Sequence, residues 1–366
     1  MQSRIRVGVI FGGRSAEHEV SLQSAKNVVE ALDPAKYEPV LIGIDKQGHW
    51  YLNEQSDWLL HADNPKLISL NTASRKVAIM PLPEENQLVG LQDRLQFGRL
   101  DVVFPVLHGP YGEDGAMQGL LKLAGVPCIG AGVLGSAVGM DKDVMKRLLR
   151  DAGIAIARFR SYRNAAAARA DWAELVAELG LPLFVKPANL GSSVGISKVR
   201  TQQEYDQAVS NALQYDSKIV VEETIRGREI ECSVLGNDEP IASLPGEILP
   251  NQEFYSYDAK YIDEHGAVLD VPAKLTPNEI EAVQTLALQA FQVLCCQGMA
   301  RVDMFLQPDG RLVLNEINTI PGFTKISMYP KLWEVSGLSY RALIDRLISL
   351  AMERFAEEQR LRTSVE

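Results

Sequence analysis

The sequence predicts an α/β protein whose second half turns to antiparallel α+β, and three observations carry that expectation. Residues 5–11 (IRVGVIF), 38–44 (EPVLIGI) and 101–107 (DVVFPVL) are short unbroken apolar runs separated by helical patterns such as residues 21–32. Buried parallel strands read this way. Further on, PLFVKP, GISKV, KIVVEE and EIECSVL follow one another through short connections, so hairpins replace crossovers. Near the end, RVDMFL and RLVLNEINT flank QPDG, a strand pair around a turn.

Taken in order, the chain opens with MQSRIRVGVIFGG, a charged start and a short strand without the apolar stretch and cleavage site of a signal peptide. No apolar run reaches membrane-spanning length, so a cytoplasmic protein without a membrane partner is expected. Residues 62–97 are polar, Pro-containing and irregular, and read as an insertion on the first domain with short strands at most. A helix, DKDVMKRLLRDAG, begins a second organisation near Asp141, and an aromatic loop, PNQEFYSYDAKYID, follows the start of a third near residue 237. Thr276, Pro277 and Glu279 open a long helix through a capping box with proline at its first position. The last helix gathers Leu343, Ile344, Leu347, Ile348 and Ala351 on one face, and residues beyond Glu358 read as a frayed tail. The expected division is therefore 1–140, 141–236 and 237–366.

Composition narrows the function. A formal net charge of -10 argues against a nucleic-acid surface, since phosphate-backbone affinity comes from clustered Lys and Arg. Any phosphate is then met by local cations. The four cysteines (Cys128, Cys232, Cys295, Cys296) lack CxxC spacing, which suggests reduced thiols and neither disulfides nor zinc.

The chemistry-bearing signal is the late hairpin. Alternation puts Arg301 with Asp303, and Glu316 with Asn318, on single strand faces. If Asp309 and Gly310 form the turn, residues pair when their numbers sum to 619, setting Asp303 opposite Glu316 and Arg301 opposite Asn318. Directly opposed side chains sit roughly 5 Å apart, so two carboxylates and an amide oxygen suit a hard cation such as magnesium. Pro308 lacks a ladder donor, which leaves room for a slip of one residue. Alone, the pattern equally describes a solvated surface hairpin. The following TIPGFTKIS shifts the balance, because a Gly turn with Ser327 beyond it offers backbone donors, Gly322 foremost, to an oxyanion or carboxylate.

A second signal is Lys186 ending a strand before ANLGSSVG, a loop whose amides and hydroxyls suit a triphosphate, although it is no Walker A motif and such Gly-Ser connections are often silent. GAGVLG at residues 130–135 matches a dinucleotide fingerprint, which makes a nucleotide-dependent dehydrogenase the competing class. The acidic residue that fingerprint needs about 20 positions on is missing, since Arg150 and Asp151 fall at a helix end; a structural turn fits better. A non-catalytic ATP-binding sensor is a third class. His108 reads as a site residue or a local turn partner, and Glu17 as a site residue or a helix cap. The aromatic loop with Asp258 and Lys260 reads as a lid over a polar site.

In this order, GGRSAEHEVS, HGPYGEDG, DK, VKPANLGSSVG, VEE, GREIE, YDAKY, RVD and NEINTIPGFTKIS resemble the signature set of the D-alanine:D-alanine ligases of the ATP-grasp superfamily, over nearly the whole chain. The resemblance implies an ATP-grasp fold, in which two antiparallel sheets hold ATP beside an N-terminal α/β domain. It implies that Lys142, Lys186 and Lys260 meet ATP phosphates, that Glu222 and Glu229 bind the adenosine portion, and that the loop carrying Ser192 and Ser193 closes over the γ-phosphate. It assigns Asp303, Glu316 and Asn318 to two magnesium ions, with manganese as a substitute. Glu17, Ser192 and Tyr261 would form a network holding the first D-alanine, with His108 nearby; Arg301 and the Gly322 amide would stabilise the tetrahedral oxyanion; Ser327 and the Met328 amide would hold the second carboxylate.

The implied reaction makes D-alanyl-D-alanine through a D-alanyl phosphate, giving ADP and phosphate for bacterial peptidoglycan precursors. The pair Lys260 and Tyr261 favours D-alanine over D-lactate as second substrate, and a homodimer is the family expectation. Departures at Ala188, Asn189 and residues 323–326 touch fine selectivity only.

Overall fold

The computed structural model describes residues 3–54, 56–62, 64, 67–81, 86–250, 267–362 and 364–365. The first part runs β1 (Ile5–Gly12), α1 (His18–Ala31), β2 (Tyr37–Ile44), β3 (Trp50–Asn53), β4 (Leu59–Leu60), β5 (Ser69–Leu70), β6 (Arg75–Ile79), β7 (Leu88–Gly90), β8 (Val102–Val106) and α2 (Ala116–Leu123). Its six-stranded sheet has the order β7-β6-β3-β2-β1-β8, with β1 parallel to both β2 and β8, as the three apolar runs predict. Val7, Val9 and Phe11 face a core shared with α1, and Ile10 faces a second core closed by α2. The segment read as an insertion does contain short strands, and it does more than decorate: β6 and β7 extend the main sheet as antiparallel edge strands, burying Val77, Ile79 and Leu88.

Next come α3 (Val133–Met140) and α4 (Lys142–Asp151). The loop before α3 is structural: Gly130 takes a positive φ of 91° and lies against Gly298, while buried Arg354 donates to the Gly130 carbonyl at 2.7 Å. Only a single bridge, Val103 to Cys128, precedes it where a dinucleotide fingerprint expects a strand.

The middle part comprises β9 (Phe159–Tyr162), α5 (Ala165–Ala170), α6 (Trp172–Leu179), β10 (Leu183–Pro187), β11 (Ser197–Val199), α7 (Gln202–Ala212) and β12 (Ile219–Glu223), with an antiparallel sheet ordered β11-β10-β12-β9. The last part holds β13 (Arg228–Gly236), β14 (Ile241–Ala242), β15 (Gly246–Pro250), β16 (Ala267–Asp270), α8 (Pro277–Val293), β17 (Gly298–Leu306), β18 (Leu312–Asn318), α9 (Met328–Val335) and α10 (Tyr340–Glu358). Its antiparallel sheet runs β16-β15-β13-β17-β18, with β14 paired to β13. The Thr276 capping box with Glu279 forms as its spacing predicts. Leu343, Ile344, Leu347, Ile348 and Ala351 are all buried, yet α10 turns them toward α1 and β8 of the first sheet. Phe323 joins that core edge-on to Phe104, with ring centroids 5.3 Å apart, so the segment after β18 is anchored in the first part of the chain.

The hairpin register carries one correction. Arg301 pairs with Asn318 and Asp303 with Glu316, numbers summing to 619, but Met304 pairs with Leu314 and Leu306 with Leu312, summing to 618. The turn is Gln307–Gly310, where the Gly310 amide donates to the Gln307 carbonyl at 2.9 Å and Gly310 takes φ 85°. An irregularity between Asp303 and Met304, with Asn315 as the extra residue, brings the strands back into the expected pairing at the site.

Candidate functional site

Two adjoining concavities lie between the two antiparallel sheets and the first sheet's loops. The larger is lined by Lys142, Lys186, Ser192, Ser193, Glu222, Glu229, Asp303 and Glu316 among others; the smaller by Glu17, His108, Arg301, Asn318, Gly322, Ser327 and Met328 among others. They share Gly191, Ser192, Glu231, Ile248 and Glu316, so the wall between them is built from the Gly-Ser loop and the acidic hairpin. Lys260 and Tyr261 lie outside the described residues.

Strand alternation sets the acidic face. Arg301 and Asp303 project together from β17, and Arg301 reaches Asp303 through two hydrogen bonds of 2.7 Å, from Nε to Oδ1 and from Nη2 to Oδ2. The same guanidinium lies 2.9 Å from Glu231 on β13, the residue paired with Asp303 from the other side. Asn318 Nδ2 donates to Asp303 Oδ2 at 3.0 Å, and Lys142 Nζ approaches Glu316 at 3.6 Å. Among the described residues no three His, Cys, Asp or Glu side chains gather as a metal site by themselves.

The cationic side follows from α4 and β10. Asp141 caps α4 by accepting from the Asp143 and Val144 amides, which starts the helix at Lys142 and sends its Nζ to the Leu190 carbonyl at 2.7 Å. One turn on, the same face buries Lys146, whose Nζ lies 2.9 Å from Glu222; Lys186 meets the other oxygen of that carboxylate. Burial works to raise the Glu222 carboxyl, but the two lysines outweigh it and hold it down at about 2. Burial depresses Lys146 in turn, against the pull of Glu222. Ser192 and Ser193 both take left-handed backbone, φ 51° and 61°, which costs an L residue about 1–2 kcal/mol each. Strain of that kind concentrates where a loop is shaped for a ligand.

Glu17 occupies the N-cap position of α1, yet its side chain makes no capping bond; it accepts from Ser192 across the cleft instead. Helix capping, the bland account of Glu17, is thereby set aside. His108 is not a local turn partner either. Its Nδ1 lies 3.0 Å from the Ile320 carbonyl and its Nε2 3.3 Å from Ser24 Oγ, and burial lowers the ring to about 4, against the Ile320 bond, so it is neutral. Nδ1–H then donates to the carbonyl and Nε2 accepts from Ser24. Ser327 begins α9 and points its hydroxyl back to Thr324, accepting from the amide at 3.0 Å; the Met328 amide belongs to the open helix N-terminus, where anions are favoured.

Four site residues escaped the sequence reading. Glu231 shares a strand face with Glu229, and Lys146 stands one turn from Lys142, so period-2 and period-4 spacing contained both signals. Glu113 lies inside HGPYGEDG; it is buried, accepts from the Gly109 amide at 2.8 Å and the Ile320 amide at 3.0 Å, and is pushed up to about 8 by burial first and then by the charges of Glu17 and Glu316. Nothing local marks Ser24.

Comparison with known proteins converges on one family. Residues 6–131 match the family model described as D-ala D-ala ligase N-terminus and residues 148–349 the one described as D-ala D-ala ligase C-terminus. The chain is 55% identical over 359 residues to a D-alanine--D-alanine ligase from Oceanobacillus iheyensis, covering 98% of each, and 53% identical over 362 residues to D-alanine--D-alanine ligase A from Escherichia coli, covering 99% of this chain and 100% of that one. Among solved structures it resembles the D-alanine-D-alanine ligase from Coxiella burnetii, with TM-score 0.83, 40% identity and coverage of 98% and 96%. It also resembles a D-Ala:D-Ser ligase from Enterococcus faecalis, with TM-score 0.83, 37% identity and coverage of 95% and 100%.

Proposed function

The chain belongs to the D-alanine--D-alanine ligase family, and from that premise we propose that it joins two molecules of D-alanine at the expense of ATP, releasing ADP and phosphate, for cell-wall precursor synthesis. The observation that carries the assignment of residues is the shared wall: a nucleotide in the larger cleft and an amino acid in the smaller pocket would meet at Ser192 and Glu316.

In this reading Glu17, oriented by Ser192, holds the ammonium of the first D-alanine. The carboxylate oxygen of that D-alanine attacks the γ-phosphorus; the new O–P bond forms as the bond to ADP breaks. Lys142 and Lys186 offset the crowding of negative charge, the Ser192–Ser193 loop covers the phosphate, and Glu222 and Glu229 serve the adenosine end. The resulting D-alanyl phosphate is attacked by the amine of the second D-alanine, whose carboxylate sits at Ser327 and the Met328 amide. Arg301 and the Gly322 amide receive the oxyanion before phosphate departs.

Asp303, Glu316 and Asn318 fit magnesium or manganese by their donor chemistry. They offer two carboxylates and an amide on one face, and magnesium takes one or two carboxylates plus phosphate and water. When bound, the ions neutralise phosphate charge. The residues' own part is to present oxygen on the cleft side of the sheet, which Arg301 and Lys142 keep charge-balanced.

The same reading divides the chain at 1–140, 141–236 and 237–366, and takes the enzyme to be a cytoplasmic homodimer, which sedimentation would check. Among the described residues no helix is long and apolar enough to cross a membrane. The decisive assay measures phosphate release with D-alanine, ATP and magnesium, each withheld in turn, and repeats it with D-serine and D-lactate. Release is expected only with all three present. NAD binding, or ATP binding without turnover, would instead point to the dehydrogenase or sensor class.

A further inference from the structure

We propose that Glu113, His108 and Ser24, all from the first part of the chain, are positioning residues that fix the Gly322 amide by gripping the peptide groups on either side of it. The inference rests on the reading of Gly322 as an oxyanion donor given above.

The grip is two-sided. On the near side, both polar groups of Ile320 are taken: its N–H donates to Glu113 Oε1 at 3.0 Å and its carbonyl accepts from His108 Nδ1 at 3.0 Å. On the far side, the Phe323 N–H donates to Ser24 Oγ at 3.2 Å, and its carbonyl accepts from Asn27 Nδ2 at 3.1 Å and the Tyr340 hydroxyl at 2.8 Å. Ser24 also donates to His108 Nε2 at 3.3 Å, which links the two sides. Between them stand Pro321, which has no N–H to be held by, and Gly322. The peptide carrying the Gly322 amide therefore takes its orientation from its neighbours.

Two features separate positioning from ordinary packing. Phe323, Tyr329 and Tyr340 already bury an aromatic anchor here, so apolar contact holds the segment down without help from a carboxyl group. A buried carboxyl is a poor adhesive, because its desolvation offsets much of what its bonds return. What Glu113 adds is direction: its second oxygen accepts from Gly109 at 2.8 Å, so the carboxyl is fixed at both ends and cannot swing with the segment. Glu113, His108, Gly322 and Ile320 all line the smaller pocket.

The test compares wild type with Glu113→Gln and Ser24→Ala. A glutamine keeps one acceptor oxygen but presents an NH2 to the other amide. For Glu113→Gln, kcat is expected to fall about tenfold to a hundredfold, with the KM for ATP within about twofold, as misplacement of a reacting geometry does. A tetrahedral phosphinate analogue of the dipeptide, which places an oxyanion at the Gly322 amide, should lose affinity in parallel, while planar D-alanyl-D-alanine binds within about threefold of wild type. Ser24→Ala should move both readouts the same way by less, and carries the test if Glu113→Gln does not fold. Equal weakening of analogue and dipeptide, or unchanged kcat in both variants, overturns the proposal. A wild type that makes no dipeptide overturns the underlying assignment of function, and the grip with it, before any variant is compared.

Discussion

Glu316 lies directly across the hairpin from Asp303, although the turn joining their strands is one residue out of step with that pairing. Had the turn's register continued, Asn315 would stand opposite Asp303, and an amide would replace a carboxylate at the point where two negative charges converge. The irregularity at Asn315 is therefore what sets a carboxylate, and not an amide, opposite Asp303 on this strand. Arg301 and Lys142 meet the resulting charge.

The pairing predicts an order of losses. Glu316→Gln should lower turnover by more than about a hundredfold, since even partners of metal ligands are worth about 10–100-fold. Ser327→Ala should cost only about tenfold, because the N-terminus of α9 still meets a carboxylate with its backbone amides. Initial rates of phosphate release under saturating substrates decide it. Similar losses in the two variants would count against the metal assignment.

Glu222 sits between two lysines in a nearly dry site, so removing its charge strands both. Glu222→Gln is expected to destabilise by about 3–5 kcal/mol, the range for breaking a buried ion pair by one partner. Adding Lys146→Met should recover part of that loss, because the buried ammonium goes with it. The carboxyl's depressed value, about 2, sets the pH sign: its contribution is present above the ordinary glutamate range and disappears as pH falls from there toward 2. Chemical denaturation of the single and double variants measures the effect; a double variant less stable than Glu222→Gln alone would refute it.

His108 is held neutral, near 4, against about 6.5 in an unfolded chain, so the unfolded state gains a proton first as pH falls. Its contribution to stability is full above about 6.5 and is lost down to about 4, amounting to about 3 kcal/mol at the low end. Glu113 acts in the opposite sense, its contribution fading as pH rises toward 8, so the difference between wild type and His108→Asn isolates the histidine. Melting temperatures from pH 7.5 to 4.5 should converge as the pH falls. Parallel curves would mean that the ring takes up its proton over the same pH range in the folded and the unfolded chain.

Period and turn chemistry made most of this legible beforehand. The parallel core strands, the Thr276 cap and the buried face of α10 follow from spacing alone, whereas the shared face of Asp303 and Glu316 is reached only because the irregularity at Asn315 offsets a turn one residue away from the expected one. What escaped is long-range. No local pattern says that α10 reaches from β17 of its own sheet to cover β8, that β6 and β7 complete a sheet begun some seventy residues earlier, or that Ser24 meets Phe323. His108 and Glu17 were ambiguous because their partners, Ile320 and Ser192, come from other parts of the chain. The bulge at Asn315 was hidden because a turn's register depends on loop geometry as well as on residue types.

The last prediction concerns the wall at the second-substrate end. A Cβ on Gly322 would lie 2.7 Å from Ser327 Oγ, and that hydroxyl is held by the Thr324 amide at 3.0 Å and Thr324 Oγ1 at 2.8 Å, so it cannot turn aside freely. Gly322→Ala should therefore shift the oxyanion donor and lower kcat about tenfold to a hundredfold, with the KM for ATP little changed. If Gly322 and Ser327 acted independently, the double variant Gly322→Ala with Ser327→Ala would multiply the two losses. The clash predicts otherwise: removing the hydroxyl relieves the contact, so the double variant should be no worse than Gly322→Ala alone, a coupling that steady-state kinetics on the four proteins would measure. Multiplicative losses would mean that the methyl group is accommodated elsewhere and that the wall does not set the position of the amide.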